Sequence, residues 1–227
     1  MTAPKPAHFW DFPPSVPSGE WHEKRRLAAA VRELIEVCVT TDASEAQLAA
    51  ATATARALVD DLGAHGRRTF LEAFASKTIG NIVVFADRGM LVGLSNPMSP
   101  PMTMHDDGEG ATAQVTFGPA YEGAPGCVHG GLIAAAFDQT LGFLNVCKHV
   151  GAMTASLTVH YRRPTPIQRE LTIVARTARV EGKKRWVTAK MFAGGELTAE
   201  AEGLFIALDA SKVQEIVDAQ LADAAED

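Results

Sequence analysis

The sequence predicts an α+β protein in which an antiparallel sheet wraps around one long central helix. A glycine-rich stretch beginning at residue 118 leads into an apolar segment that is expected to be helical from about Val128 to about Val146. Runs of β-forming residues follow that segment directly, at 153–161, 171–180, 185–193 and 197–208. One buried helix followed by consecutive strands with short turns is typical of a sheet layered on a helix.

Shorter β-rich runs are also expected before the central helix, at 82–86, 89–94 and 111–117. Prolines between the second and the third of these runs predict a loop at 97–101, because proline interrupts both helix and sheet hydrogen bonding. These runs would complete the sheet.

The N-terminal third of the chain has a helical pattern instead. Five of the chain's twelve prolines lie within residues 1–20 together with three aromatic side chains, which predicts an extended arm. Apolar residues at helical spacing then predict an amphipathic helix over 21–39. Ser44 and Gln47 form a capping box that opens a second predicted helix, and Gly63 ends it.

The chain is therefore expected to have four parts. They are an extended proline-rich arm at 1–20, a helical N-terminal extension at 21–75, the main α+β domain at 76–209, and a short C-terminal helix with an acidic tail at 210–227.

Composition excludes several classes of protein. The chain has 227 residues, 47% of them hydrophobic, and a net charge of −6, which disfavours nucleic acid as the main partner. No apolar run is long enough for a membrane span, and no secretory signal is evident, so a cytoplasmic protein is expected. The three cysteines lack metal-ligand spacing and are interpreted as reduced thiols.

The first run after the central helix alternates strictly between apolar and polar residues. Met153, Leu157 and Tyr161 fall on one face of this strand, and Thr154 falls on the other. We expect the apolar face to lie on the helix. Alternation alone then places Thr154 on the side away from the helix of its own chain.

Gly130, Gly131 and Asp138 carry the predicted chemistry. The first N–H groups of a helix have no partner within it, and glycine lets an oxygen approach them closely. Asp138 is the only charged residue within the apolar segment. It lies about 10 Å from Gly131 along a helix axis, so one helix cannot present both groups to one small carbonyl. An antiparallel copy from a second subunit can, which predicts an active site at a dimer interface.

The segment from Gly126 to Gly131, with Asp138 nine positions after His129, resembles the helix entry of hotdog-fold acyl-CoA thioesterases of the PaaI (phenylacetate-pathway) type. The stretches 93–101 and 153–166 are similar to the same family. The resemblance implies a hotdog fold and hydrolysis of an acyl-CoA to a free acid and coenzyme A. It also implies a homodimer or a dimer of dimers, with no metal or organic cofactor.

Within that resemblance, Asp138 acts either as a general base toward water or as the attacking carboxylate. A Gly130 or Gly131 N–H binds the thioester oxygen as it gains negative charge. His129 fixes the loop, contacts the substrate or holds the helix N-terminus. Thr154 corresponds to a hydroxyl residue that helps to hold the attacking water in some related thioesterases, the alternative being an ordinary strand threonine.

Two further groups of residues are candidates for substrate binding. Several relatives in the family carry Asn or Gln six residues before the histidine, where this chain has Gly123. The adjacent Glu122 is either a second acid or an ordinary loop carboxylate. Basic side chains are candidates for holding coenzyme A phosphates, the alternative being a solvated surface: Arg162, Arg163, Lys183 and Lys184.

The sequence favours hydrolysis over several other functions. A Cys127 nucleophile activated by His129 is disfavoured because no third orienting group is evident. The sequence has no nucleophile elbow, phosphate-binding loop or dinucleotide fingerprint. A hotdog hydratase or dehydratase, and a non-catalytic protein that binds an acyl ligand, are the two alternatives.

Overall fold

The structure is a computed structural model that describes residues 19–67, 86–148 and 150–209, and scattered positions beyond 210. Those scattered positions are helical, as the predicted C-terminal helix requires. Almost all of the predicted arm at 1–20 and of the predicted strand at 82–86 lies outside the described residues.

Helices and strands follow one another in the order expected for a helical extension before an α+β domain. In the described part of the chain they are α1 (Glu20–Thr40), α2 (Glu45–Gly63), β1 (Thr103–Asp106), β2 (Ala111–Thr116), a 3-10 turn (Pro119–Tyr121), α3 (Gly130–Cys147), β3 (Ala152–Tyr161), β4 (Glu170–Glu181), β5 (Lys184–Ala193) and β6 (Glu196–Ala207).

The six strands form one antiparallel sheet in the order β1, β2, β4, β5, β6, β3. Helix α3 packs across this sheet and completely buries Phe137, Leu141 and Leu144. Their partners on β4, β5 and β6 are equally buried apolar side chains, among them Ile173 and Met191. The predicted α+β hotdog fold, an antiparallel sheet around one long central helix, is confirmed.

Both predicted N-terminal helices are present, but they are held differently. Helix α1 is anchored by an ion pair in which Arg25 Nε donates to Oδ1 of the buried Asp87 over 2.9 Å. Helix α2 has the predicted capping box and ends at Gly63, yet it buries none of its residues. No helix in the described ranges is both long enough and apolar enough to cross a membrane.

The strand predicted at 89–94 is wrong. The chain folds back on itself there, because the N–H of Gly93 bonds to the carbonyl of Gly89 at 2.9 Å and that of Ser95 bonds to the carbonyl of Asp87 at 3.0 Å. A side chain at Gly93 would meet the Asp87 carbonyl oxygen at 2.4 Å, so glycine is required for this close approach. Strand β1, which has only four residues, was not predicted.

The predicted facing of β3 is only partly correct. The pairing of β3 with β6 shifts register between Thr154 and Ser156, which marks an extra residue in the strand. Leu157 packs on the core as predicted. The bulge reverses the alternation before it, so that Met153 is exposed and Thr154 faces α3.

Replacing Leu141 by alanine tests the packing of α3 on the sheet. Leu141 is fully buried, so Leu141→Ala is expected to lower the free energy of unfolding by about 2–5 kcal/mol. Leu62 on α2 is 45% exposed, and Leu62→Ala should change it by less than about 0.5 kcal/mol. Urea denaturation of both variants measures the difference, and equal losses would contradict the assigned packing.

Candidate active site

Helix α3 starts from a loop that is fixed by main-chain hydrogen bonds. The N–H of His129 donates to the carbonyl of Tyr121 at 3.0 Å, and the N–H of Val128 donates to the carbonyl of Thr165 at 2.8 Å. A side chain at Gly123 would meet His129 Cα at 2.8 Å, so the loop closes directly against the first residue before the helix. The N-terminus of α3 therefore has a defined position relative to the sheet.

His129 caps helix α3 with its side chain. Its Nδ1 atom accepts a hydrogen bond of 3.1 Å from the N–H of Gly131, and its backbone carbonyl accepts from Leu132 at 2.9 Å and from Ile133 at 3.3 Å. Because Nδ1 is an acceptor, the neutral ring carries its proton on Nε2. This geometry corresponds to one of the roles predicted for His129, that of holding the N-terminus of the helix.

The N–H of Gly130, the first amide of α3, differs in its hydrogen bonding from the amides that follow it. Among the hydrogen bonds of the described residues, the amides of Gly131, Leu132 and Ile133 all have acceptors and that of Gly130 has none. Of the two predicted oxyanion donors, Gly130 is thus the one available to a ligand oxygen. Unpaired N–H groups at a helix start favour an anionic oxygen.

Tyr161 holds the same residue through its carbonyl group. Its hydroxyl donates a hydrogen bond of 2.8 Å to the carbonyl of Gly130. A side chain placed on Gly130 would lie 3.4 Å from the Tyr161 oxygen, which is ordinary contact. Tyr161 was predicted only as an apolar-face residue of the strand and not as part of the site, although it begins the Tyr-Arg-Arg-Pro sequence at the end of β3.

Asp138 and Thr154 lie together in one chain. The Thr154 hydroxyl donates a hydrogen bond of 2.7 Å to Oδ1 of Asp138. This contact corrects the expectation that Thr154 faces away from its own helix, and the bulge in β3 is the cause. The threonine orients the carboxylate, and among the described residues no hydrogen bond uses its second oxygen, which can accept one from another donor.

The two halves of the predicted site do not meet within one chain. Gly130 and Asp138 are eight residues apart on a regular helix, which separates them by about 12 Å along its axis. A thioester carbonyl bound at Gly130 is therefore out of reach of the Asp138 carboxylate of the same chain.

The Glu122 carboxylate forms a hydrogen bond within its own loop. Its carboxylate accepts a hydrogen bond from the N–H of Gly126, and Glu122 also forms an isolated β-bridge with Val128. Gly126 has a φ of 75°, the left-handed region that glycine adopts readily. Within the described chain, these contacts match the reading of Glu122 as a loop carboxylate.

The basic candidates separate into two groups at opposite ends of α3. Arg162 Nε donates to Glu200 at 2.8 Å, and Arg163 donates to Glu196 at 2.9 Å. The hydrogen bond from Arg162 holds the pKa of Glu200 below its usual value, which keeps this pair charged. Both arginines follow Tyr161, at the helix N-terminus.

The lysines lie at the other end, on the hairpin between β4 and β5. Lys183 pairs with Asp209 at 2.6 Å, and Lys184 is exposed at the start of β5. Arg185 next to them donates a hydrogen bond of 2.7 Å to the buried Asn145, near the end of α3. The length of α3, about 27 Å for eighteen residues, separates the two basic groups in one chain.

Other chemistry has no support in this region. Cys127 lies two residues before His129, but the acceptor atom of that ring, Nδ1, is already used by Gly131. Among the residues that the structure describes, no three His, Cys, Asp or Glu side chains are grouped as metal ligands. The free groups are an amide at the helix start and an oriented carboxylate.

Comparison with known families identifies the segment that carries these groups. Residues 125–200 match the profile of the Thioesterase superfamily. The match begins in the loop before α3 and ends within β6, so it includes the helix start, Asp138 and Thr154. The predicted resemblance to the thioesterase superfamily is confirmed over this range.

Curated relatives match a similar part of the chain. Acyl-coenzyme A thioesterase THEM4 of Bos taurus is 36% identical over 97 residues, which are 42% of this chain and 40% of that protein. The protein of the same name from Xenopus laevis is 39% identical over 93 residues, which are 40% of this chain and 42% of that protein. The chain spans less than half the length of these relatives.

A solved structure extends the similarity beyond the matched segment. The crystal structure of a thioesterase superfamily protein has a TM-score of 0.72 and 25% sequence identity to this chain. It covers 85% of this chain and 97% of its own, so the shared fold includes more than residues 125–200.

Substitution of His129 tests its capping role. His129→Ala removes the acceptor of the Gly131 N–H and is expected to lower the free energy of unfolding by about 1 kcal/mol. His129→Asn keeps a side-chain acceptor and should recover most of that loss. Thermal unfolding of both variants measures the effect. Equal destabilisation by alanine and asparagine would show that the cap contributes nothing.

Proposed function

We propose, from the thioesterase-superfamily match over residues 125–200 and the unpaired Gly130 N–H, that this protein hydrolyses acyl-CoA thioesters to a free acid and coenzyme A. The unpaired amide is the observation that carries the proposal. A thioester carbonyl oxygen gains negative charge as its carbon becomes tetrahedral, and a preorganised N–H at a helix start stabilises that charge.

The proposed site forms between two copies of the chain. Two α3 helices that lie antiparallel about a two-fold axis place Asp138 of one chain near Gly130 of the other. Two features support such pairing. Strand β3 is an edge strand with β6 as its neighbour in the sheet, and most of its residues are exposed. The face of α3 that carries Asp138 is only partly covered by its own chain.

The proposed reaction needs only the groups already described. Asp138 accepts a proton from a water whose oxygen bonds to the thioester carbon, while Thr154 fixes the carboxylate. The tetrahedral intermediate then breaks its C–S bond, and the departing thiolate takes a proton to give free coenzyme A. Direct attack by the Asp138 carboxylate gives the same products through an anhydride that water hydrolyses. Neither route uses a metal or an organic cofactor.

The two basic groups fit the same head-to-tail arrangement. Antiparallel α3 helices bring the hairpin end of one chain to the helix-start end of the other. Arg162 and Arg163 of one copy would then share one end of the dimer with Lys183 and Lys184 of the second copy. We propose that this end binds the phosphates of coenzyme A, which arginine and lysine both recognise.

Gly130→Pro removes the proposed oxyanion donor and little else. Proline is favoured at the first position of a helix, and His129 before it already has φ −58° and ψ 132°, which a following proline requires. Gly130→Pro is expected to lower kcat by about 10²–10³-fold, whereas Gly130→Ala, which keeps the N–H, should lower it far less. Thiol release from a panel of acyl-CoAs measures both variants.

The same assay separates the alternatives. Loss of activity in Gly130→Ala equal to that in Gly130→Pro would remove the N–H from the mechanism. Absence of thiol release by the wild-type protein on the whole panel would favour a non-catalytic binder of acyl ligands. Hydration of an enoyl-CoA without thiol release would favour a hydratase.

Paired variants test whether the site is shared between chains. Asp138→Ala and Gly130→Pro should each keep at most about 1% of the wild-type activity alone. A heterodimer of the two, purified through different tags, should regain about half of the wild-type activity. One of its two sites then keeps both groups.

The reciprocal pairing is the control. A wild-type chain paired with a chain carrying both substitutions has no complete shared site and should be inactive. Recovery in this second heterodimer but not in the first would place the site within one chain and contradict the proposed arrangement.

A further inference from the structure

We infer that helix α1 belongs to the active-site machinery, with Glu36 as a positioning residue that holds the loop in front of α3. This inference rests on the proposed function, because the position it controls is that of the Gly130 N–H. Glu36 lies outside the segment that matches the thioesterase superfamily. Nothing in the glycine and aspartate pattern of residues 126–138 points to it.

Glu36 reaches the chain just before the loop. Its Oε2 atom accepts a hydrogen bond of 3.2 Å from the N–H of Ala120, in the 3-10 turn Pro119–Tyr121. A side chain on Gly118 would lie 2.3 Å from Oε1 of the same carboxylate. Gly118 has φ −85° and ψ −175°, an extended conformation open to any residue. Its missing side chain therefore provides space for Glu36.

The turn that Glu36 holds is connected to the helix start by one residue. Tyr121, next to Ala120, accepts the His129 N–H on its carbonyl at 3.0 Å. His129 in turn caps α3 and directly precedes Gly130. A displacement of the turn therefore moves the residue that sets the direction of the free amide.

Helix α1 also holds the loop that contacts the side-chain hydroxyl of Tyr121. The tyrosine hydroxyl donates to the carbonyl of Met98 at 3.0 Å. One turn before Glu36 on α1, Arg32 donates to the carbonyls on either side of Met98, at 2.9 Å to Asn96 and 2.6 Å to Ser99. The same helix thus fixes the residue before Tyr121, through Glu36, and the loop that accepts the Tyr121 hydroxyl, through Arg32.

Electrostatics favours this arrangement near neutral pH. Burial raises the pKa of Tyr121 above its ordinary value of 10.0, while the positive charge of Arg32 lowers it and the negative charge of Glu36 raises it. The phenol therefore stays protonated and remains a donor to Met98. A charged carboxylate accepting from a backbone N–H is also a stronger hydrogen bond than a neutral pair.

The test compares Glu36→Ala with two matched variants. Glu36→Gln keeps an oxygen acceptor of the same reach, and Glu33→Ala removes an exposed carboxylate from the same helix. Amide hydrogen exchange over residues 119–131, followed by mass spectrometry, reports the position of the loop without reference to activity. Acyl-CoA hydrolysis by the same samples gives kcat and KM.

Glu36→Ala is expected to speed exchange in 119–131 by about tenfold and to lower kcat by about fivefold, with KM changed by less than about twofold. Glu36→Gln should stay near wild type, and Glu33→Ala should not differ from it. Gly118→Ala, which displaces the carboxylate from the opposite side, should reproduce Glu36→Ala with α1 intact.

Three results would overturn the inference. They are unchanged exchange in 119–131 for both Glu36→Ala and Gly118→Ala, equal effects of Glu36→Gln and Glu36→Ala, and faster exchange throughout α1 with kcat unchanged. If the wild-type protein hydrolyses no acyl-CoA, the proposed function fails, and the exchange data still decide whether Glu36 holds the loop.

Discussion

The fixed spacing along α3 is the constraint from which the rest of the site follows. A straight helix holds the Gly130 N–H and the Asp138 carboxylate about 12 Å apart, and no side-chain rotation closes that gap. A chemistry that needs both groups at one carbonyl must therefore take them from two helices. The exposed edge strand β3, which also carries Thr154, lies on the sheet margin where a second copy would pair.

The start of α3 offers a ligand oxygen one amide, because the neighbouring amides of the described chain already have hydrogen-bond acceptors. His129 satisfies one amide with its ring and two with its carbonyl, and the Tyr161 hydroxyl donates to the carbonyl of Gly130. One donor is left, pointing away from the helix, so a bound oxygen has a single defined place. Preorganisation of this kind stabilises developing charge without reorienting the protein during the reaction.

Local patterns in the sequence were sufficient to predict the helices, the long strands and the residues of α3. The spacing of apolar residues and the glycines at turns can both be recognised within a short stretch of sequence. Contacts between distant residues were not predictable in this way. The bulge that turns Thr154 toward Asp138 depends on pairing with β6, and the turn at Gly93 depends on carbonyls that fold back on it. Likewise, no local pattern indicates that Glu200 pairs with Arg162, 38 residues away.

The same distinction separates the groups that are proposed to react from the residues that hold them in place. Residues 125–200 contain the amide, the carboxylate and the threonine, so a family match can detect them. Some of the hydrogen bonds that place the loop come from Tyr121 and, through the turn beside it, from α1, both of which lie before residue 125. Chains that share the reacting segment can therefore differ in how rigidly they hold its first amide. Rate differences among such chains need not originate in the residues that touch the substrate, since a small displacement of an oxyanion donor is costly.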